Sequence, residues 1–351
     1  VSNAPTIEIA GRPIGDGHPP YVIAELSANH NGNLGQALAI IEAAAEAGVD
    51  AVKLQTYTAD SLTIDCDAPD FQITSGPWKG HTLYALYQQT STPWEWHETL
   101  FDKCRALGLA AFSTPFDERA VEFLESLGVP AYKIASFEVA DPSLLRKVAA
   151  TGKPMIISTG MANRDQISEA VNAVRAAGCR ELVLLHCVSG YPTPPEEMNL
   201  RTIVDMRERY KVCVGLSDHT LGTTVATAAV ALGACAIEKH VTLRRADGGP
   251  DATFSLEPEE LASLVREAHT AFRTLGTVDY GHKPSEKPNL VFCRSLYVVA
   301  DTRKGELFTR ENVRSIRPGY GLPPKHLASV LGRRATIDIQ RGTALSWELI
   351  A

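Results

Sequence analysis

The sequence predicts a closed (β/α)8 barrel, an α/β fold, followed by a small β domain. Three observations carry that expectation. Eight short apolar runs, at 21–25, 51–55, 110–114, 131–136, 154–159, 181–187, 212–217 and 235–240, alternate with eight stretches of helical periodicity. Most of those helices are followed by a glycine that leads within a few residues into the next run, as at Gly48, Gly108, Gly128 and Gly152. Glycine takes the left-handed conformation that ends a helix without steric cost. Finally, eight strand–helix units fit into about 275 residues, close to the length of one barrel, whereas an open sheet commonly holds fewer units and leaves free edges.

The elements follow in order. The helix at 34–47 has Leu38, Ile41 and Ala45 at helical spacing and closes at Gly48. A long connection, 57–92, separates the second strand from its helix at 93–107; it is aromatic and rich in turn residues, which suits a segment that covers a site. The remaining helices are expected at 118–127, 142–151, 164–177, 201–210, 223–232 and 258–275. Residues 277–288 carry charge, Gly and Pro and read as a linker. Beyond it, 294–300 alternates like a strand, and 330–339 and 343–348 read as short strands between turns such as Lys304-Gly305 and Arg341-Gly342. The expected domains are 1–282, the barrel, and 283–351, a β unit too small to be independent, which should dock on the barrel or on a partner subunit.

Composition narrows the function. The chain has 351 residues, 44% hydrophobic and 21% charged, as a packed soluble protein does. A net charge of −7 argues against a general nucleic-acid binder. Charge is uneven, with twelve Lys/Arg against six Asp/Glu from residue 283 onward. No apolar stretch reaches the roughly 18 residues of a membrane span, and the first residues do not read as a secretory signal. Ser2-Asn3-Ala4 reads as a tag remnant. Seven cysteines without a C-x-x-C pair favour a reducing cytoplasm; Cys187, Cys213 and Cys235 read as buried filler.

Parallel strands alternating with helices bring all strand C-termini to one face, where such folds keep their sites. Polar residues stand at those ends. Lys53 and Lys133 lie inside apolar runs (Val52-Lys53-Leu54, Tyr132-Lys133-Ile134) and can focus positive charge on a phosphate or carboxylate. Thr114, Ser136, Ser158, Thr159, Ser189 and Ser217, with Gly160, supply hydroxyls and amides for oxyanions. His219 and His240, on neighbouring strands, can share one divalent cation with positions left for water and substrate. Glu25 and Glu138 bind sugar hydroxyls, move protons or pair with the lysines. Asp251 sits on a stiff Gly-Gly-Pro-Asp loop after the last strand. Trp94, Trp96 and His97 read as helix-packing residues, and Arg317 reads as a solvated cation on a turn.

Eight motifs, each at a strand end, resemble the sialic acid synthase group over almost the whole chain. They are 24–32 (AELSANHNG), Val52-Lys53-Leu54-Gln55-Thr56, Ser113-Thr114-Pro115-Phe116, Tyr132-Lys133-Ile134-Ala135-Ser136, Ser158-Thr159-Gly160-Met161, Tyr191-Pro192-Thr193-Pro194, Gly215-Leu216-Ser217-Asp218-His219 and Glu238-Lys239-His240. The tail, with Lys304-Gly305-Glu306 and Arg317-Pro318-Gly319-Tyr320-Gly321, is similar to the antifreeze-like (SAF) β-clip domain of that group. The resemblance implies a TIM-barrel enzyme that condenses phosphoenolpyruvate with an open-chain amino sugar. It implies Lys53, Thr114, Lys133, Ser136, Ser158, Ser189 and Ser217 on phosphoenolpyruvate. His219 and His240 would take a divalent metal, Mn²⁺ with Mg²⁺ or Co²⁺ as substitutes. Glu25, Gln55, Glu138, Tyr191, Asp251 and Arg317 would contact the sugar, and Glu138, Glu25, Lys53 and Lys133 would be catalytic. By the same resemblance, Arg317 reaches a partner's barrel in a domain-swapped homodimer.

Within the group, Leu26-Ser27, Gln55-Thr56-Tyr57-Thr58, Ser136-Phe137-Glu138 and the Thr92–His97 run (TPWEWH) resemble the branch that makes pseudaminic acid, from 2,4-diacetamido-2,4,6-trideoxy-altrose. Legionaminic or N-acetylneuraminic acid formation is the alternative within the group. Outside it stand another metal-dependent barrel aldolase or epimerase, and a non-catalytic sugar- or ice-binding protein.

Overall fold

The computed structural model describes residues 5–76 and 78–351; Ser2-Asn3-Ala4 lies outside them. The chain divides into two compact units, Val1–Gly276 and Thr277–Ala351, and the compositional shift near residue 282 falls within the second.

The first unit opens with a hairpin, β1 (Thr6–Ile9) against antiparallel β2 (Arg12–Gly15). Eight parallel strands follow: β3 (Tyr21–Glu25), β4 (Ala51–Thr56), β5 (Ala110–Pro115), β6 (Tyr132–Ile134), β7 (Met155–Ser158), β8 (Leu182–Cys187), β9 (Cys213–Asp218) and β10 (Ala236–His240). They close as β10-β3-β4-β5-β6-β7-β8-β9, the barrel that the sequence predicts. Every strand begins within a residue of its apolar run.

Two hydrophobic layers hold the unit. Outward residues such as Val22, Val52, Ile134, Ile157, Leu184 and Ile237 pack against the helices. Inward ones, including Tyr21, Ile23, Phe112, Ile156, Val183 and Leu185, fill the barrel floor. Ile7, Ile9 and Ile14 of the hairpin join the floor cluster and plug that end. Because side chains alternate along a strand, each strand delivers one more inward residue at its far end, above the apolar layers. At those positions the sequence turns polar.

The helices lie at Leu34–Ala47, His97–Ala106, Glu118–Ser126, Pro142–Ala149, Arg164–Ala176, Arg201–Tyr210, Thr224–Ala231 and Pro258–Leu275. Caps fix their starts: the side chains of Asn33, Asp117, Asp141 and Asn163 accept first-turn N–H groups. Gly48, at φ 83°, ends the first. The pattern expected at 93–107 starts as a 3₁₀ turn, Trp94–Trp96, because Pro93 precedes it without an N–H to continue a helix backward. The 57–92 connection has structure of its own: helices Ala59–Leu62 and Leu83–Thr90, with Gln72 bridged to Thr82.

In the second unit, β11 (Ser295–Val298) pairs antiparallel with β12 (Val313–Ile316). The strands expected at 330–339 and 343–348 do not form. Val330 ends the helix Leu327–Val330, and the backbone then pairs through single bridges, Leu307 to Arg334, Thr302 to Ile339, Ala335 to Ile350 and Tyr297 to Ala344. Residues 347–349 form a 3₁₀ turn. Turns at Gly332 and Gly342, both left-handed, redirect the chain before a ladder can grow. The apolar residues still reach one small core of Leu296, Val298, Phe308, Val313, Ile339 and Leu345. Among the described residues no helix is long and apolar enough to cross a membrane.

Candidate active site

The polar layer above the barrel floor is built by register. Glu25 on β3 stands beside Lys53 on β4, Gln55 beside Thr114 on β5, Ser217 on β9 beside Glu238 on β10, and His240 beside Glu25. Of these, Lys53, Gln55, Ser217, Glu238 and His240 open on a cavity of about 390 Å³ whose polar lining also includes Lys133, Ser136, Glu138, Ser158, His219 and Asp251.

Its electrostatic centre is a carboxylate not assigned from the sequence. Glu238 Oε1 lies 3.4 Å from Lys53 Nζ and 3.7 Å from Lys133 Nζ, and Ser217 Oγ donates to it at 3.0 Å. Lys53 Nζ is also 3.2 Å from Glu25 Oε2, while Gln55 Nε2 donates to Glu25 Oε1 at 2.8 Å. Both lysines and both glutamates are at most 4% exposed, so solvent screens them little. Burial works against the charge on Glu238, but Lys133 and Lys53 with the Ser217 bond outweigh it and hold this carboxyl well below the usual range. Burial pushes Glu25 up to about 7, Lys53 opposing and Glu238 adding. It lowers Lys133 to about 8 despite Glu238. Glu138, away from the ion pairs, is raised to about 7 by burial.

The site holds polar atoms with nothing to bond. Among the described residues, ten buried side-chain polar atoms lack a hydrogen-bond partner. Seven of them, Glu25 Oε2, Thr114 Oγ1, Ser158 Oγ, Ser189 Oγ, Glu138 Oε2, Glu238 Oε2 and His240 Nδ1, belong to this one layer and its loops. Buried polar groups in folded proteins are normally satisfied, so their concentration at one place marks where a polar ligand completes them. Gly160 lets the serines converge: its N–H donates to Ser136 Oγ at 3.1 Å, and a Cβ there would stand 2.3 Å from Ser189 Oγ.

The two histidines face each other, ring centroids 5.4 Å apart. His219 Nδ1 lies 3.0 Å from the Val188 carbonyl; burial opposes the charge on this ring, but Cys187 and that carbonyl raise its pKa above the ordinary value, and in its neutral form donation to the carbonyl leaves Nε2 with a free lone pair. Burial, with His219 and Lys53 beside it, holds His240 well below its ordinary pKa and therefore neutral. Asp251 Oδ2 is 3.8 Å from His240 Nδ1 and accepts from Ser27 Oγ. Two imidazoles, of which His240 is neutral with an unpaired buried nitrogen and a carboxylate at its side, fit a divalent cation that keeps open positions. Among the described residues no three His, Cys, Asp or Glu side chains stand close enough to hold a metal ion by themselves, so the two histidines would leave the remaining positions to water and substrate.

Of the site residues read from the sequence, those of the first unit gather around this layer. The Tyr191 ring packs at a tilt against His219, 4.5 Å centroid to centroid, and Cys187 Sγ lies 3.8 Å from His219 Nδ1. Arg317 belongs to the second unit, exposed, its guanidinium 6.0 Å from the Phe292 ring. Trp94 stacks on Phe123 and His97 bonds Thr56, the packing roles read from the sequence. Glu238 was legible: alternation through 235–240 puts it on the same face as His240. Lys239 between them points outward, into a buried pair with Asp218 at 2.7 Å.

Residues 40–280 match the model of the NeuB family and residues 294–351 that of the SAF domain. The chain belongs to the NeuB family. A pseudaminic acid synthase of Campylobacter jejuni is 44% identical over 325 residues, 93% of this chain and 95% of that one. An N,N'-diacetyllegionaminic acid synthase of Legionella pneumophila is 36% identical over 345 residues, 97% of each. Among solved structures, the N-acetylneuraminic acid synthetase of Leptospira borgpetersenii, in complex with citrate, aligns at TM-score 0.73 and 31% identity, covering 82% of this chain and 95% of that one. As a NeuB-family enzyme the chain is a transferase that carries out a phosphoenolpyruvate-dependent condensation.

Proposed function

We propose that the chain condenses phosphoenolpyruvate with 2,4-diacetamido-2,4,6-trideoxy-altrose and water, giving pseudaminic acid and phosphate. One observation carries the chemistry: across a single cavity, two buried lysines and the hydroxyls of Ser136, Ser158 and Ser217 face two histidines and a carboxyl poised near pH 7. The choice of sugar is supported by the 44% identity to the Campylobacter jejuni pseudaminic acid synthase, against 36% for the legionaminic acid enzyme.

Lys53 and Lys133 neutralise the phosphate and carboxylate of phosphoenolpyruvate, and Thr114, Ser136, Ser158, Ser189 and Ser217 complete its oxygens. Out of water, such contacts are worth more than on a surface. Glu25, Gln55, Glu138, Tyr191 and Asp251 orient the open-chain sugar with its aldehyde carbon toward C3 of phosphoenolpyruvate. C3 forms the new bond to that carbon, and Glu138, protonated, gives its proton to the carbonyl oxygen. Water adds to C2, losing a proton to Glu25, and the C2–O bond breaks to release phosphate. Alignment of the two reactants supplies up to roughly 7–11 kcal/mol of the barrier. A divalent cation, Mn²⁺ or in its place Mg²⁺ or Co²⁺, held by His219 and His240 would supply Lewis-acid polarisation of the acceptor carbonyl. Arg317 serves a partner's site by binding an N-acyl group, so the working unit is a domain-swapped homodimer. The reaction belongs in the cytoplasm, where the chain's seven free thiols stay reduced.

The test is phosphate release from phosphoenolpyruvate with Mn²⁺, across diacetamido sugars of altrose, mannose and glucose configuration and N-acetylmannosamine. The altrose sugar should give the highest kcat/KM. A preference for another sugar would move the chain to the legionaminic or N-acetylneuraminic branch.

A further inference from the structure

The cavity has two unlike halves. Its deep half is the charged layer of strand ends. Its outer wall comes from the 57–92 connection, which contributes Leu62, Ile73, Trp78, Leu83, Leu86 and Tyr87. Leu62, Ile73, Trp78 and Leu83 are half-buried, so their carbon is partly open to the space. Apart from the Tyr87 hydroxyl, the wall's polar side chains are spent on the protein itself. Tyr57 Oη and Thr90 Oγ1 bond each other at 2.7 Å, Thr90 Oγ1 reaches the Leu86 carbonyl at 2.9 Å, and Trp78 Nε1 donates to the Pro250 carbonyl at 3.1 Å. Trp78 also lies 5.5 Å from Tyr191, centroid to centroid, and Tyr191 packs at a tilt against His219. The wall is thus anchored to the loop that carries Asp251 and to the aromatic beside the histidines. It is a fixed side of the site.

We infer that this wall selects the acceptor: it receives the methyl groups of a deoxygenated, N-acetylated sugar and disfavours a hydroxyl at the same place. The inference rests on the proposed reaction and names the part of the site that reads the sugar's far end. The deep half takes the aldehyde and the charged co-substrate, so the far end of an open-chain hexose extends toward the wall. A 6-deoxy, 4-acetamido sugar presents two methyl groups there. A hydroxyl in either position would lose its water and find few donors or acceptors free to replace it. An apolar pocket rejects an added hydroxyl by at most about 10²-fold, which sets the expected size of the preference.

The experiment compares two acceptors of one configuration, the 2,4-diacetamido-2,4,6-trideoxy hexose and its 6-hydroxy counterpart, by kcat/KM for phosphate release. The wild-type chain should prefer the 6-deoxy sugar by about 10- to 100-fold. Ile73→Gln and Leu83→Gln, two half-buried wall positions, should each reduce that ratio several-fold while leaving KM for phosphoenolpyruvate unchanged; the unchanged KM reports an intact deep half. A wild-type enzyme active on the 6-deoxy sugar whose ratio is the same in both variants overturns the wall's role and leaves the proposed reaction standing. Absence of phosphate release by the wild type with either sugar overturns the reaction, and the wall's role with it.

Discussion

At the scale of the residue, the site works by keeping charges in the state each task needs. Glu238 is the shared counter-ion of Lys53 and Lys133. Glu238→Gln leaves two like charges facing each other in a buried layer. We expect a loss of stability of about 3–5 kcal/mol, the cost of breaking a buried pair from one side, read by chemical denaturation. Lys133, already lowered to about 8 by burial, should fall further without this anion, so the alkaline limit of phosphoenolpyruvate binding should move to lower pH. Glu138 predicts a second pH effect. Burial raises its pKa to about 7, and the proposed reaction uses the protonated form, so kcat should fall as pH rises through about 7. Glu138→Gln should abolish that limb and lower kcat throughout; an unchanged profile would remove Glu138 from proton transfer. His240→Ala should lose both retained divalent metal and phosphate release with the circular dichroism spectrum intact, a result checked by elemental analysis of the purified variant.

At the scale of the element, two glycines show how the strands hold the site open. Gly215 sits on β9, where a Cβ would stand 2.3 Å from the Ala236 carbonyl of β10. Gly215→Ala should strain the barrel beneath His219 and lower stability by about 1–3 kcal/mol, measurable as a lower denaturation midpoint. Gly160→Ala places its Cβ against Ser189 and Ser136 and should raise KM for phosphoenolpyruvate several-fold with little change in the denaturation midpoint. The contrast separates a glycine that closes the barrel from one that shapes the anion site. Barrel strands were legible in the sequence because parallel strands buried on both faces appear as near-continuous apolar runs, and their polar ends stand out. The β1–β2 hairpin was not: its four-residue strands, with only Ile7, Ile9, Ile14 and Gly15 buried, are too short to carry a period. Glu238 was passed over because its neighbours in the motif, Lys239 and His240, are charged or polar too; only the alternation of faces sorts them.

At the scale of the whole molecule, two compact units and their different charge balance were visible as a shift in composition. Inside the second unit the strands at 330–339 and 343–348 failed, since a core of a few side chains is satisfied by single bridges between turns. The proposed role of Arg317 makes the second unit part of the catalyst. Deleting residues 283–351 should therefore abolish phosphate release while the barrel remains folded by circular dichroism; an active barrel alone would refute that role. The central claim, condensation with C–O cleavage, is tested most directly with phosphoenolpyruvate carrying ¹⁸O in its bridging position and the 2,4-diacetamido-2,4,6-trideoxy-altrose acceptor. The account predicts one ¹⁸O-labelled phosphate for each nine-carbon 2-keto acid formed. Unlabelled phosphate, or acid formed without phosphate release, would contradict it.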